Sequence, residues 1–246
     1  MLIKACLNGP RRPGDHPALP VAPAHVGRDA AAAVAAGAGA LHVHPKDGAG
    51  ADSLHPAAVA DVLTAVRAAV PGVPVGVTTG AWALPDPEQR VAAVRAWTVL
   101  PDFASLNWHE DGADAVAGAL LERGVQVEAG LWHRRGVAAW QASPHRDRCL
   151  RVLVELPDGL DAETTGARAD ELLAAVGESP PVLLHGTGSS TWPAVRRAAA
   201  RGLDTRIGLE DTLELPDGSP APDNASLVRA ALAQVASVRA ADGAGG

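Results

Sequence analysis

Residues 23–47 read PAHVGRDAAAAVAAGAGALHVHPKD, and this stretch decides the fold. An alanine-rich segment of helical spacing begins at Pro23 and ends at Gly37, because proline favours the first turn of a helix and glycine its end. A short strand-like run, Ala40–His44, follows the helix directly. Helices that connect one strand to the next are typical of parallel α/β proteins. The stretch therefore predicts one unit of such a fold.

The same alternation of strand and helix continues along the whole chain. The predicted strands are Leu2–Leu7, Ala40–His44, Pro74–Thr79, Pro101–Trp108, Gln126–Trp132, Cys149–Leu156, Val182–His185 and Asp204–Glu210. The predicted helices lie at about 23–37, 56–70, 86–97, 112–124, 136–142, 163–177, 191–202 and 223–238.

Eight strand–helix units in 246 residues match the usual size of a (β/α)8 barrel. We therefore predict an α/β protein with a single (β/α)8 TIM barrel domain over residues 1–239, followed by a flexible tail at 240–246. A doubly wound open sheet is the alternative.

Composition excludes several other classes of protein. The chain is 47% hydrophobic and carries a net charge of −7, and its 21 basic residues form no stripe, so nucleic acid is not an expected partner. Its longest apolar run, Ala30–Leu41, is too short and too weakly hydrophobic to span a bilayer. The first residues lead straight into a strand without a targeting pattern, so we expect a cytoplasmic protein. Cys6 and Cys149 are expected to be buried thiols.

Two histidines lie at the end of the second predicted strand. Side chains alternate along a strand, so His42 and His44 point the same way while Val43 points to the other face. In a parallel barrel this end of the strands forms the active site. Two imidazoles at this place both need a polar partner, and one divalent metal ion can coordinate both of them. A lone histidine would more often be a core residue.

A third ligand is offered by the eighth predicted strand. Glu210 shares its alternation with Arg206 and Gly208, so it faces the barrel interior if the residues between them pack outward. Barrel closure brings this strand beside the first one and close to the second. Two histidines and one carboxylate leave coordination positions open for a substrate, as catalytic metals require. The alternative is that Glu210 only pairs with Arg206.

Polar side chains also lie near the ends of three further strands. They are Thr78, Ser105, Asn107 and Glu128. Such groups can orient the carboxylate or carbonyl of a substrate, and they can equally satisfy backbone groups at the strand ends.

The loop after the seventh strand is rich in small residues and opens a helix. Gly186 and Gly188 let the backbone approach a ligand, and free N–H groups at a helix start favour anions. A tight turn capped by serine or threonine is the alternative.

These motifs, in this order, resemble the β-keto acid cleavage enzymes, the family of the 3-keto-5-aminohexanoate cleavage enzyme. The stretches that carry the resemblance are 8–21, 37–38, 42–47, 77–80, 104–107 and 206–212.

The resemblance implies a (β/α)8 barrel in which His42, His44 and Glu210 bind Zn²⁺. It further implies an acyl transfer in which a β-keto acid reacts with acetyl-CoA and yields acetoacetate and another acyl-CoA. Asp211 would be the base that removes a proton from the keto acid, and Arg206 would support it.

The resemblance also places Thr78 near the substrate carboxylate, with Ser105 and Asn107 lining the same pocket, and it implies a homo-oligomer. Residues 132–159 depart from the family pattern, so substrate selection or CoA binding could differ there. A CoA-independent metal-dependent aldolase or decarboxylase, and a noncatalytic metal- or acyl-binding barrel, are the alternatives.

Overall fold

The computed structural model describes residues 1–177 and 180–244. Its strands are β1 (Ile3–Cys6), β2 (Ala40–Val43), β3 (Val75–Thr78), β4 (Phe103–Asn107), β5 (Gln126–Leu131), β6 (Arg151–Leu156), β7 (Val182–Gly186) and β8 (Thr205–Ile207). Its α-helices are α1 (Pro23–Ala35), α2 (Pro56–Ala69), α3 (Pro87–Ala96), α4 (Ala113–Glu122), α5 (Arg134–Ala142), α6 (Ala162–Val176), α7 (Thr191–Arg201) and α8 (Asn224–Ala244). Each strand is thus followed by a helix.

The strands form one parallel sheet in the order β7-β6-β5-β4-β3-β2-β1-β8. The two edges then meet, because the Leu184 N–H donates to the Asp204 carbonyl at 2.9 Å and the Asp204 N–H donates to the Val182 carbonyl at 3.3 Å. The predicted single-domain (β/α)8 barrel is confirmed, and the open doubly wound sheet is excluded.

Helix boundaries follow local signals in the sequence. Pro23 and Pro56 occupy the first turns of α1 and α2, where the N–H that proline lacks would have no partner in any case. The Asp86 side chain accepts the N–H groups of Glu88 and Gln89 at the start of α3. The last helix, α8, continues to Ala244, so residues 240–244 of the predicted tail are helical. Residues 245–246 lie outside the described residues.

The eighth strand ends earlier than predicted, and this difference matters for the site. β8 stops at Ile207, and the chain turns at Gly208, whose carbonyl accepts the N–H groups of Asp211 at 2.8 Å and Thr212 at 3.1 Å. Glu210 and Asp211 therefore lie in a turn after the strand. Strand alternation no longer determines which way they point.

Apolar side chains fill the space between barrel and helices, whereas charged groups occupy part of the lumen. Lys4, on β1, lies 2.5 Å from one oxygen of Glu128, and Arg151, on β6, lies 3.2 Å from the other. The side chains of Lys4 and Glu128 are fully buried. Buried charges of this kind are tolerated only when they are paired.

We expect Glu128→Gln to destabilise the fold strongly, because it leaves the Lys4 ammonium buried without its counter-charge. Breaking a buried ion pair by removing one partner costs about 3–5 kcal/mol of unfolding free energy. Denaturant unfolding measures this change. Glu122→Gln is the control, because Glu122 is 63% exposed and its pair with Arg95 lies on the surface. Equal stability of the two variants would contradict the assignment.

Two smaller expectations concern the cysteines and membranes. Cys6 and Cys149 are both free and buried, as predicted. Among the helices of residues 1–177 and 180–244, none has the length and apolar character needed to cross a membrane.

Candidate active site

A cavity of about 660 Å³ opens at the C-terminal ends of the barrel strands. Its walls come from loops and strand ends on every side of the barrel mouth. The lining residues are Pro10, His42, His44, Thr78, Trp82, Ser105, Asn107, Trp132, His133, Leu153, Glu155, Pro157, Asp158, Arg168, Thr187, Arg206 and Glu210. This is the place where enzymes of this architecture hold their substrates.

The three predicted metal ligands meet on one wall of this cavity. The Nε2 atoms of His42 and His44 lie 3.8 Å and 3.7 Å from Oε2 of Glu210. One donor atom from each residue lies within 4.8 Å of the others. The two imidazole rings stand nearly perpendicular, with centroids 5.2 Å apart. Ligands at about 2.0–2.2 Å from a tetrahedral ion are themselves about 3.3–3.6 Å apart, so the set is close to a coordinating arrangement.

The chemistry of these donors also fits a divalent cation. Glu210 Oε2 is buried, and no hydrogen-bond partner for it occurs among the described residues. Burial lowers the pKa of His42 well below its usual value, with the neighbouring His44 and nearby cations acting in the same direction. A neutral imidazole offers its lone pair to a metal. An ion held by these three donors would satisfy the orphaned carboxylate oxygen.

Local backbone contacts hold two of the ligands in place. The buried Asn8 side chain accepts the His44 N–H at 2.8 Å and donates to the His44 carbonyl at 3.0 Å. Gly9 has a positive φ of 55°, and a side chain there would collide with Glu210, since a Cβ would lie 2.4 Å from its Cγ. The loop after β1 therefore fixes the end of β2 and leaves room for the carboxylate.

A fourth residue, Asp52, orients His44 from outside the ligand set. Its Oδ2 lies 2.7 Å from His44 Nδ1 and also accepts the Trp82 indole N–H at 2.8 Å. Its Oδ1 accepts from Lys46 Nζ at 2.5 Å. Because Nδ1 is engaged with a carboxylate, the Nε2 of His44 is left to face the Glu210 carboxylate.

We expect Asp52→Asn to weaken metal binding about 10- to 100-fold, because the amide cannot replace the charge that holds the His44 ring. Competition with a chelator of known affinity measures the change. Asp61→Asn, the same substitution at an exposed position on α2, is the control. Unchanged affinity in Asp52→Asn would show that Asp52 does not tune the site.

The turn after β8 brings two consecutive carboxylates to one guanidinium. Arg206 donates to Glu210 Oε1 at 3.0 Å and to Asp211 Oδ1 at 2.8 Å and 3.1 Å. Glu210 thus pairs with Arg206 through one oxygen and faces the histidines through the other. Both contacts that the sequence suggested for Glu210 are thus present, and its role as a metal ligand stays a prediction.

Asp211 is buried and held from several sides. Burial raises the pKa of this carboxyl, against the lowering effect of Arg206. Its Oδ2 has no partner within the described chain. Its backbone carbonyl accepts the Gly188 N–H at 2.8 Å and the Thr191 hydroxyl at 3.2 Å. A rigid carboxylate with a raised pKa and one unengaged oxygen has the properties of a general base.

Thr78, Ser105 and Asn107 all line the cavity, as predicted for contacts with a substrate. Thr78 and Ser105 are direct neighbours across β3 and β4. Asn107 donates to Glu110 Oε1 at 2.9 Å, which holds its amide in place. The three side chains form a polar strip beside the metal ligands.

Glu128 does not reach this cavity. The structure places it on β5 in the fully buried pair with Lys4, deeper in the barrel than the predicted substrate pocket. Strand alternation correctly points it into the lumen. Strand alternation does not predict how deep Glu128 lies along the barrel axis. The local sequence also gives no sign of its partners, Lys4 on β1 and Arg151 on β6.

Gly186 and Gly188 also do not line the cavity. The predicted anion-binding site in the loop after β7 is occupied by a side chain of the protein itself. The Asp158 carboxylate accepts the Ser189 N–H at 2.8 Å and the Gly159 N–H at 2.7 Å. A side chain at Gly188 would collide with that carboxylate. The turn is capped by Asp158 and not by the serine or threonine that the alternative expected, and the Gly188 N–H supports the backbone of Asp211.

Three residues of the site were missed by sequence reasoning: Asp52, which orients His44, and Trp82 and Glu155, which line the cavity. Asp52 follows a loop that folds back through a bridge between Lys46 and Asp52, and no motif marks it. Trp82 stacks on His44, with ring centroids 6.1 Å apart. Glu155 was recoverable from strand alternation, since it shares its face of β6 with Leu153, which also lines the cavity.

Taken together, these contacts provide a metal-binding group and a polar strip on the wall of one cavity. The buried carboxylate of Asp211 does not itself line the cavity, but it shares Arg206 with the metal-ligand candidate Glu210. Such a site can bind a substrate with two oxygen donors and remove a proton from the carbon between them.

Known proteins support a family assignment and the fold. A family model described as beta-keto acid cleavage enzyme matches residues 1–241. No curated protein matches the chain.

Solved structures share the barrel at low sequence identity. The ternary complex of ObcA with a C4-CoA adduct and oxalate has a TM-score of 0.70 at 16% identity, over 90% of this chain and 64% of that chain. The apo structure of ObcA has a TM-score of 0.69 at 17% identity, over 92% and 66%. The chain thus spans about two thirds of ObcA. The native KDPGal structure has a TM-score of 0.60 at 13% identity, over 98% and 97%.

Proposed function

The chain belongs to the beta-keto acid cleavage enzyme family, and on that premise we propose that it is a zinc-dependent acyltransferase. It joins a β-keto acid to acetyl-CoA and releases acetoacetate and the CoA ester of the remaining acyl group. The observation that carries the proposal is the convergence of His42, His44 and Glu210 beside the buried carboxylate of Asp211.

His42, His44 and Glu210 would hold the cation, with Asp52 orienting His44. When bound, a divalent ion supplies Lewis-acid chemistry: it withdraws electron density from a keto group and so acidifies the neighbouring carbon. Thr78, Ser105 and Asn107, which form the polar strip beside the metal ligands, bind and orient the carboxylate of the keto acid.

Asp211 takes the proton from the carbon between the keto group and the carboxylate, at its unengaged Oδ2. Arg206 keeps Asp211 correctly aimed through two donated hydrogen bonds. The carbanion attacks the acetyl thioester and releases the CoA thiol. The thiol then adds to the other keto carbon, and retro-Claisen cleavage of the carbon–carbon bond leaves the new acyl-CoA and the acetoacetate carbanion. Asp211 returns its proton to that carbon, which completes acetoacetate.

Two further observations support a CoA thioester as the second substrate. A protein of the same fold, ObcA, is known with a C4-CoA adduct. The cavity of about 660 Å³ exceeds the space that a small keto acid occupies, which leaves room for the end of a pantetheine arm. The homo-oligomer and the cytoplasmic location stay predictions of the sequence.

Metal analysis combined with a substrate panel tests the proposal. The protein as isolated, the chelator-treated protein and the zinc-reloaded protein are each incubated with β-keto acids of varied acyl group, with and without acetyl-CoA. We expect acetoacetate only with metal and acetyl-CoA together. Turnover without acetyl-CoA would instead support an aldolase or decarboxylase, and metal binding without any turnover would support a noncatalytic barrel.

A further inference from the structure

The cavity contains a carboxylate that the proposed reaction has not used. Glu155 lies near the end of β6, on the face that points into the barrel, and lines the cavity. Its side chain is 14% exposed, and it lies on the cavity wall. Within the described chain, its nearest charged or titratable contact is His185, at 3.5 Å.

His185 lies between Glu155 and the proposed base, Asp211. Sheet register makes Glu155 and His185 direct neighbours on β6 and β7. The Nε2 atom of His185 faces Glu155 Oε2, while Nδ1 lies 4.0 Å from Asp211 Oδ1. The ring is 1% exposed, and neither nitrogen has a hydrogen-bond partner among the described residues. Burial, together with Arg206, lowers the pKa of His185 well below its usual value, so the ring is neutral.

The surroundings of Glu155 favour its protonated form. Burial raises the pKa of this carboxyl to about 7. Arg206 and Lys4 act to lower it, and the carboxylates of Asp211 and Glu210 act to raise it. A carboxyl that titrates near neutral pH and faces a cavity can both give and accept a proton during turnover.

The position of Glu155 separates it from the two histidines. In the closed barrel β6 lies diametrically opposite β2, which carries both histidines. A keto acid bound on the β2 side would therefore lie between the histidines and Glu155. The cavity wall on this side contains the apolar side chains of Trp132, Leu153 and Pro157, which suit the acyl thioester end of a co-substrate. It also contains polar side chains, among them Asp158, Arg168 and Thr187.

We propose that Glu155 is a second acid–base residue of this enzyme, the one that handles the thiol of CoA. The assignment rests on the proposed function. Asp211 and Glu155 would then divide the work, with Asp211 acting on carbon and Glu155 acting on sulfur.

The proton balance of this step closes within the site. When the carbanion has added to the acetyl thioester, the C–S bond breaks and its electron pair leaves with sulfur. The Glu155 carboxyl gives its proton to that sulfur and becomes a carboxylate. When the thiol then attacks the other keto carbon, a C–S bond forms and the S–H proton returns to Glu155. No net proton is gained or lost.

The test uses the zinc-loaded enzyme and separates the two proton transfers. Deuterium exchange at the carbon between the keto and carboxylate groups, measured in D₂O without acetyl-CoA and above the rate without enzyme, reports Asp211. Acetoacetate formation with acetyl-CoA reports the whole reaction. In Glu155→Gln we expect exchange within about twofold of wild type, whereas acetoacetate formation falls about 10²- to 10⁴-fold. Glu122→Gln, at an exposed position on α4, should change neither rate.

Each outcome decides one assignment. A wild-type enzyme without exchange and without acetoacetate would overturn the proposed function itself. If the wild-type enzyme shows both exchange and acetoacetate formation and Glu155→Gln is equally active, only the role of Glu155 is overturned. The same holds if Glu155→Gln binds metal but loses deuterium exchange as well as acetoacetate formation. If the glutamine variant does not fold, Glu155→Asp keeps the carboxylate and should show the same split, with a smaller loss of acyl transfer.

Discussion

Substitution of His42 by alanine is expected to abolish metal binding and turnover together. The variant removes one of two imidazole donors at a site where the third donor, Glu210 Oε2, is buried and has no hydrogen-bond partner among the described residues. Loss of the Lewis acid removes several kcal/mol of stabilisation from the transition state, so turnover should fall on the order of 10³-fold or more. Metal content by elemental analysis and acetoacetate formation measure the two effects.

The control for this variant is His25→Ala, because His25 is an exposed histidine on α1. It should keep both metal and activity. Excess zinc should not rescue His42→Ala at concentrations that saturate the wild-type protein. A variant that lost metal yet turned over at the wild-type rate would show that the reaction does not need the ion.

Substitution of Asp211 by asparagine is expected to separate metal binding from catalysis. The amide keeps the shape of the side chain and can still accept a hydrogen bond from Arg206, but it cannot take a proton from carbon. Glu210 and the two histidines are untouched, so metal content should equal that of wild type. Turnover should fall about 10²- to 10⁴-fold, as for the loss of a general base.

Asp217→Asn provides the matched control, since Asp217 lies in the same connection between β8 and α8 but is exposed. It should leave metal content and turnover unchanged. If Asp211→Asn lost metal as completely as His42→Ala, Asp211 would belong to the ligand set. If it kept full activity, the base would have to be another residue.

Much of the site could be predicted because strand alternation is a local property. His42 and His44 are two residues apart on one strand, so their common orientation follows from the pleat alone. Thr78 and Asn107 were located by the same argument, since the C-terminal ends of parallel strands meet at one end of a barrel. Each of these residues lines the cavity.

The assignments that failed depended on contacts between distant parts of the chain. Glu128 was expected at the substrate pocket, but its orientation into the lumen leads it to Lys4 on a strand more than a hundred residues away. The anion-binding site at Gly188 was expected to be open to a ligand, but the Asp158 carboxylate, from the preceding strand-to-helix loop, occupies it. Neither partner is marked by a pattern near the residue that it binds.

The turn after β8 also could not be predicted from strand alternation. The prediction that Glu210 faces the histidines is correct, although it assumed that the strand continues through Glu210. Because the chain turns at Gly208, both carboxylates reach Arg206. The pairing of a metal ligand with a base at consecutive positions is a product of this turn.

By itself, the sequence determined the barrel, the face of each strand and the residue types at its mouth, because hydrophobic periodicity and helix signals act over a few residues. The tertiary structure alone decided which charges are paired, how deep each lies and which carboxylates stay open to the cavity. Burial and pairing depend on groups brought together by folding, and they set the protonation states on which the chemistry of Asp211 and Glu155 depends.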